Sequence, residues 1–187
     1  MLQANLSNCA GVAFCGTLPT GTGIELYVRT AETIKAAGLP LLVDSWQNIA
    51  PVLKVGGNMI LKVNAEELQV ITSENNTEKA LSAAINSFPL SAIAVTDGPG
   101  NARLAFDHQL YSFELPKLEH IVSPLGCGDT AAAVFLSEYL RGKELPDAFA
   151  SALAAASANC LTAVCGSFDI TNAKRIQKEI VITNKQF

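Results

Sequence analysis

The sequence has little charge and no long apolar run. Only 16% of its 187 residues are charged and the net charge is −4, with no basic run or stripe of the kind that nucleic-acid-binding proteins carry. No segment approaches the roughly 20 apolar residues that a membrane-spanning helix requires. The N-terminus lacks the charged start and apolar core of a signal peptide. We therefore expect a cytoplasmic protein that binds neither nucleic acid nor a membrane.

The spacing of the cysteines does not indicate a metal site. No pair of the five has CxxC spacing, and the only histidines are His108 and His120. Structural zinc normally requires closely spaced Cys and His ligands. An odd number of cysteines in a non-secreted chain indicates free, mostly buried thiols. Cys127 differs from the others because it lies between two glycines.

Apolar residues are abundant and make up 49% of the chain, which predicts a sheet buried on both faces. Apolar runs predict strands over 9–15, 41–44, 59–62, 92–96, 102–106 and 109–114, the last two paired as a hairpin through Asp107-His108. Helical patterns occupy 23–37, 77–88, 130–141, 146–163 and 172–180, with short helices after Ile49 and Asn64. This alternation predicts a single α/β domain over 1–187 with a mostly parallel sheet between helices.

Polar or glycine-rich residues follow the predicted strands. In open α/β sheets, ligands bind beyond the carboxyl ends of the strands. The clusters there are Gly16-Thr17, Asp44-Ser45, Asn64 with Glu67, Thr96–Asn101 and Gly126–Thr130. Each cluster alone is a weak signal, but their coincidence favours a binding site.

The Gly126-Cys127-Gly128-Asp129 segment is the strongest of these clusters. Two glycines before an alanine-rich helix allow backbone N–H groups to point at an anion, which the helix dipole also favours. Asp129 would then act as a general base that takes a proton from an attacking hydroxyl. The alternative is that Asp129 is only a helix N-cap. The GxGD segment by itself favours the N-cap over the general base.

Several segments together resemble the ribokinase-like (PfkB) carbohydrate kinases. They are Gly16-Thr17-Leu18-Pro19-Thr20-Gly21 (GSLPxG-like), Val43-Asp44-Ser45, Lys62–Leu68 (KPNxxEL-like, with Val63 for proline), Thr96–Ala102, Ser123–Asp129, and Ala158-Asn159 with Cys165-Gly166. They follow the family's order across essentially the whole chain. We call Gly126–Asp129 the glycine loop. The proline before this loop, together with the segment Ala158-Asn159 and Cys165-Gly166, points to the tagatose-6-phosphate kinase and 1-phosphofructokinase branch.

The resemblance implies transfer of the γ-phosphoryl group of ATP to a sugar or sugar phosphate hydroxyl. Asp129 would be the base, and the amides of Gly126, Cys127 and Gly128 the anion hole. Asn64 and Glu67 would organise Mg²⁺, partly through water, with Lys62 near the phosphates. The resemblance also implies nucleotide contacts at Thr96, Gly98, Gly100, Asn101, Leu153, Ser157 and Asn159, and sugar-side positions at Gly16, Thr17 and Asp44.

Each of these positions has a simpler structural interpretation. Asn64 could only cap its helix, Glu67 could only occupy a favourable first turn, and Lys62 could be a solvated strand end. Gly98 and Gly100 could only permit a hairpin. Asp44 could hydrogen-bond the next loop.

Family members carry an additional N-terminal portion before the GSLP-like segment, with strands, a lid and most sugar contacts. We therefore expect a three-layer αβα Rossmann-like fold lacking those N-terminal strands and the lid, in the C-terminal, ATP-binding part of a kinase. A homodimer, or pairing with the missing half, would cover the exposed sheet edge. Whether the chain is active alone stays open, and a non-catalytic nucleotide-binding or regulatory module is the alternative. A dehydrogenase is disfavoured because no GxGxxG follows the first strand.

Overall fold

The computed structural model describes residues 6–186, which form seven strands and seven helices. The strands are β1 Val12–Cys15, β2 Leu41–Asp44, β3 Met59–Asn64, β4 Ala92–Asp97, β5 Asn101–Phe106, β6 Gln109–Glu114 and β7 Val181–Gln186. The helices are α1 Ile24–Ala36, α2 Ala50–Leu53, α3 Ala65–Thr72, α4 Thr77–Ser87, α5 Cys127–Leu140, α6 Leu145–Asn159 and α7 Ile170–Glu179. None of these helices is long and apolar enough to cross a membrane.

The chain divides into two compact units. The first contains the residues up to Thr96 together with Ala105–Asp107. The second contains Asp97–Leu104 together with the residues from His108 onward. The elements that carry the candidate site residues are therefore distributed over both units.

The first unit is built on four parallel strands, as the apolar runs predict. Strand β1 pairs with β2, β2 with β3, and β3 with β4, all in parallel register. The central strands are almost inaccessible: Leu42, Val43, Ile60 and Leu61 are each fully buried. Strands that are apolar on both faces require cover on both faces, so this pattern is typical of a parallel sheet in an α/β protein.

The second unit combines an antiparallel strand pair with three helices. Strands β6 and β7 pair antiparallel, with Leu110 opposite Lys185. Phe149 of α6 contacts Phe113 of β6 and Phe135 of α5, with ring centroids 5.1 Å apart in both pairs. Helix α6 is buried along nearly its whole length. Its alanines permit this because small side chains let neighbouring elements approach closely.

The main differences from the sequence prediction are the start of β1, at Val12 and not at Cys9, two helix boundaries and one additional strand. Helix α5 begins at Cys127 and not at Thr130, because Gly126 supplies the N-cap with a positive φ of 79°. Helix α6 ends at Asn159 and not at Ala163; the Thr162 hydroxyl bonds the Asn159 carbonyl and so competes with helix continuation. Strand β7 was not predicted, since all six of its residues are exposed and show no alternation of burial.

Candidate active site

The strand ends of the first unit bring several predicted site residues to one edge of the sheet. In the parallel register, Cys15 lies beside Asp44, and Asn64 lies beside Thr96. The Gly16 amide donates to the Asp44 carbonyl at 3.0 Å, and Gly16 adopts a φ of 80° that suits glycine. Thr17 follows it as an exposed residue. The parallel register therefore places these strand ends at the same edge of the sheet, and their role in binding stays a prediction.

Asp44 and Lys62 form an ion pair inside the first unit. Since Val43 is in register with Leu61, the next residue of each strand, Asp44 and Lys62, lies side by side. The Lys62 ammonium donates to Asp44 Oδ2 at 3.1 Å, and Lys62 is only 4% exposed. The interpretation of Lys62 as a solvated strand end is therefore wrong. The structure places a buried cation beside the polar strand ends.

We expect this pair to be coupled in stability. Asp44→Asn leaves the buried ammonium beside a neutral amide and should lower the free energy of unfolding by about 3 kcal/mol. The Asp44→Asn, Lys62→Met double variant should be less destabilised than the sum of the two single changes, because it buries no uncompensated charge. Denaturant unfolding of all four proteins measures the coupling energy. Lys54→Met, at an exposed lysine, is the control; a coupling energy near zero would contradict the stabilising role.

Asn64 and Glu67 form a capping box at the start of α3. Asn64 Oδ1 accepts from the Glu67 amide, and Glu67 Oε2 accepts from the Asn64 amide, both at 2.9 Å. The capping interpretation of both residues is thus what the contacts show. The box uses only one of the two carboxylate oxygens of Glu67, which leaves the other for a water-bridged cation. Within residues 6–186, no three His, Cys, Asp or Glu side chains gather as a metal-binding group.

The turn between β4 and β5 contains the predicted nucleotide residues Gly98, Gly100 and Asn101. Gly98 has a φ of 61°, which a tight turn requires of glycine. The Gly100 carbonyl accepts from the Leu115 amide at 3.1 Å. Asn101 is the exposed first residue of β5. The turn-forming interpretation of Gly98 fits its backbone, and the nucleotide contacts stay predictions.

The glycine loop opens α5 in the second unit. The Gly126 carbonyl accepts from the Thr130 amide at 2.9 Å, so Cys127, Gly128 and Asp129 make up the first helical turn. Asp129 is exposed and is not the N-cap, so that simpler interpretation of Asp129 is wrong. The Cys127 amide donates to the Pro124 carbonyl at 3.3 Å. This long bond occupies one of the amides that the sequence predicts for the anion hole.

Asn159, the last residue of α6, forms side-chain hydrogen bonds with the glycine loop and the residues next to it. It is fully buried; its Nδ2 donates to the Leu125 carbonyl at 3.0 Å and to Cys127 Sγ at 3.3 Å. Its Oδ1 accepts from the Thr130 hydroxyl at 3.2 Å. These contacts make Asn159 a positioning residue for the loop, and its predicted contact with the nucleotide stays a prediction.

Leu153 and Ser157 lie on the same helix as Asn159 and are also buried, at 3% and 8% exposure. The resemblance implies nucleotide contacts for both. Their burial inside the second unit gives their side chains packing partners in the protein, and contact with a nucleotide stays a prediction. No sequence signal marks the bond between Thr130 and Asn159, because the two residues are 29 positions apart.

The chain has the fold of the ribokinase-like α/β proteins. It superimposes on the Arabidopsis thaliana ribokinase solved with ribose and ATP with a TM-score of 0.79 at 20% identity, covering 94% of this chain and 58% of that one. The predicted α/β fold with a mostly parallel sheet is thereby confirmed. At this identity the likeness establishes the fold alone.

The sequence places the chain in a family. Residues 1–172 match the model of the pfkB family carbohydrate kinases. The chain is 22% identical over 176 residues to a Haemophilus influenzae 1-phosphofructokinase, covering 92% of this chain and 56% of that protein. It is 29% identical over 181 residues to an ATP-dependent 6-phosphofructokinase isozyme 2 of Mycobacterium tuberculosis, covering 90% and 52%.

The chain therefore belongs to the pfkB family of carbohydrate kinases. It spans about half the length of the curated relatives it matches.

Proposed function

We propose that the protein transfers the γ-phosphoryl group of ATP to a hydroxyl of a sugar phosphate, with this chain supplying the nucleotide side of the reaction. The observation that carries the proposal is the glycine loop at the start of α5, with Gly126 as N-cap and Asp129 in the first turn. The first amides of a helix favour a negatively charged group through both their N–H donors and the dipole. A carboxylate beside such a group is unfavourable unless it has a chemical role.

In this mechanism the residues of the second unit have three roles. The amides of Gly126, Cys127 and Gly128 stabilise charge on the transferring phosphoryl group, where fixed donors are most effective. Asp129 accepts the proton of the attacking hydroxyl. Asn159, bonded to Leu125, Cys127 and Thr130, keeps the loop in one conformation, and this rigidity is what makes the donors preorganised.

The residues of the first unit fit the phosphate and cation side. Mg²⁺ prefers oxygen ligands and keeps several waters, so the second carboxylate oxygen of Glu67 and the side chain of Asn64 would hold it through water. When bound, the ion would neutralise charge on the phosphate oxygens. Lys62, already a buried cation, would add positive charge near the phosphates. Thr96, in register with Asn64, would contact the nucleotide. The same role is proposed for Gly98, Gly100 and Asn101, which belong to the second unit.

The names of the relatives support a phosphorylated ketose as the acceptor. Fructose 1-phosphate and tagatose 6-phosphate are the first substrates to test, with fructose 6-phosphate as the third. No comparison favours the non-catalytic module. Gly16, Thr17 and Asp44 stay predictions for the sugar side, as do self-association, pairing with a further segment and a cytoplasmic location.

Calorimetry with magnesium–ATP tests the nucleotide half of this proposal on the chain itself. Glu67→Gln should weaken magnesium-dependent ATP binding about tenfold, the size of effect seen for residues that orient metal ligands. Glutamine can still complete a capping box, so the free energy of unfolding should change little.

Glu66→Gln is the matched control, since Glu66 lies in the same first turn but outside the box. No magnesium–ATP binding by the unmodified chain would overturn the proposal. Binding that Glu67→Gln leaves unchanged would limit Glu67 to its capping role.

A further inference from the structure

Two cysteine thiols are in contact with each other at the glycine loop. Cys127 Sγ lies 2.8 Å from Cys160 Sγ, although the residues are 33 positions apart in sequence. Cys127 is the first residue of α5 and Cys160 is the C-cap of α6. Both are free and partly exposed. The contact therefore joins the start of one helix to the end of the next.

Hydrogen bonds hold both cysteines in place. The Asn159 amide donates to Cys127 Sγ, and the Cys160 carbonyl accepts from the amides of Val122 at 2.8 Å and Ser123 at 3.2 Å. Because the two sulfurs are already ordered next to each other, little further conformational entropy is lost if they become bonded. A third thiol, that of Cys165, lies against Gly126.

We propose that Cys127 and Cys160 form a reversible oxidation site that takes a low-molecular-weight disulfide as its oxidant. We further propose that forming the Cys127–Cys160 bond weakens nucleotide binding at the glycine loop. This second statement rests on the proposed function, whereas the oxidation site does not.

The two cysteines have different roles in the exchange. Burial, and then the hydrogen bond and charge of Cys127, raise the pKa of Cys160 to about 12. Burial thus disfavours the thiolate of Cys160, so we assign the first attack to Cys127, at the start of α5. The thiolate of Cys127 attacks one sulfur of the small disulfide, whose S–S bond breaks, and one small thiolate leaves.

The second step closes the protein disulfide. Cys160 loses its proton to solvent and attacks the Cys127 sulfur, and the second small thiolate leaves. Conversion of Cys127 to the mixed disulfide removes its hydrogen bond and charge, which are the causes other than burial that raise the pKa of Cys160. In total, two protein thiols lose two electrons and one small disulfide is reduced to two thiols.

Oxidation changes the position of the loop. A disulfide bond is about 2.05 Å long, so the sulfurs must approach one another from their present 2.8 Å separation. The bonded Cys127 sulfur also becomes a poorer acceptor for Asn159, which holds Leu125 as well. Since the Cys127 amide belongs to the proposed anion hole, we expect magnesium–ATP affinity to fall about tenfold, the scale of one lost charge-assisted hydrogen bond.

The test exposes the native chain to glutathione disulfide, followed by alkylation, trypsin digestion and tandem mass spectrometry. Trypsin places Cys127 on the peptide 118–141 and both Cys160 and Cys165 on 144–174. Cys165→Ser therefore serves to assign the partner. We expect the two peptides to be linked in the wild type and in Cys165→Ser, unlinked in Cys160→Ala, and separated again by dithiothreitol.

Calorimetry of the same samples with magnesium–ATP completes the experiment. The oxidised wild type should bind about tenfold more weakly than the reduced protein, and dithiothreitol should restore the affinity. In Cys160→Ala the reaction should stop at a mixed disulfide on Cys127, without the peptide link. No 118–141 to 144–174 link in Cys165→Ser would overturn the oxidation site. A link without any change in affinity would overturn the regulatory statement. A link in a chain that never binds magnesium–ATP would instead overturn the proposed function, and with it the regulation, but not the oxidation site.

Discussion

Replacement of Asp129 by asparagine should reduce phosphoryl transfer about a thousandfold, within the range that a positioned general base contributes. Asparagine has nearly the same shape and also accepts hydrogen bonds, but it cannot take up the hydroxyl proton. Magnesium–ATP affinity should be kept or slightly raised, because the change removes a negative charge beside the phosphate-binding amides. ADP release with fructose 1-phosphate, tagatose 6-phosphate and fructose 6-phosphate measures the rate, and calorimetry measures the affinity.

Asp147→Asn is the matched control for this experiment. Asp147 is exposed and lies at the third position of α6, as Asp129 does in α5, so both changes remove the same helix-dipole interaction. Asp147→Asn should leave the rate unchanged. An equal loss of rate in both variants would point to helix stability, and full activity of Asp129→Asn would refute the assignment of the base.

Replacement of Gly126 by alanine should lower the free energy of unfolding by about 3 kcal/mol and remove magnesium–ATP binding. Gly126 has a φ of 79°, where an L-residue is strained by about 1–2 kcal/mol. A Cβ atom there would also contact Cys165 Sγ and lie 2.9 Å from the Gly166 amide nitrogen. Relief of that contact has to move the loop whose amides are proposed to bind phosphate.

The Gly142→Ala variant separates the effect of backbone strain from the effect of the steric contact. Gly142 has a similar φ of 88°, but no atom lies within 4 Å of the position that its Cβ atom would take. Its substitution should therefore cost only the backbone strain, about 1 kcal/mol. Denaturant unfolding of both variants gives the packing contribution as a difference. Equal losses would show that the contact of Gly126 with Cys165 and Gly166 is not important for stability.

Much of the fold could be predicted from local sequence patterns. The apolar runs of β2, β3 and β4 and the helical pattern of α4 predicted their elements closely, because a strand buried on both faces or an amphipathic helix has a signature within one short window. Strand β7 has no such signature, because all its residues are exposed and it is held by pairing with β6. The start of α5 was placed too late because glycine at 128 disfavours a helix locally.

In the candidate site, too, some features could be predicted from local sequence patterns and others could not. Asn64 and Glu67, three residues apart, could be recognised as a helix start, and the capping box confirms it. Lys62 could not be recognised as buried, since its partner Asp44 is on another strand and becomes adjacent only through the register of β2 and β3. Asn159 was singled out from the resemblance as a nucleotide contact, whereas its contacts with Leu125, Cys127 and Thr130 depend on how α5 and α6 pack.

The sequence by itself determined the family and the position of the glycine loop in the chain, since both depend on the order and short-range spacing of residues. Tertiary structure alone decided that Lys62 is a buried cation, that Asn159 supports the loop, and that Cys127 meets Cys160. Each of these contacts joins residues between 18 and 34 positions apart. Contacts of this kind depend on strand register and helix packing, which bring distant side chains within a few ångströms and which no local pattern specifies.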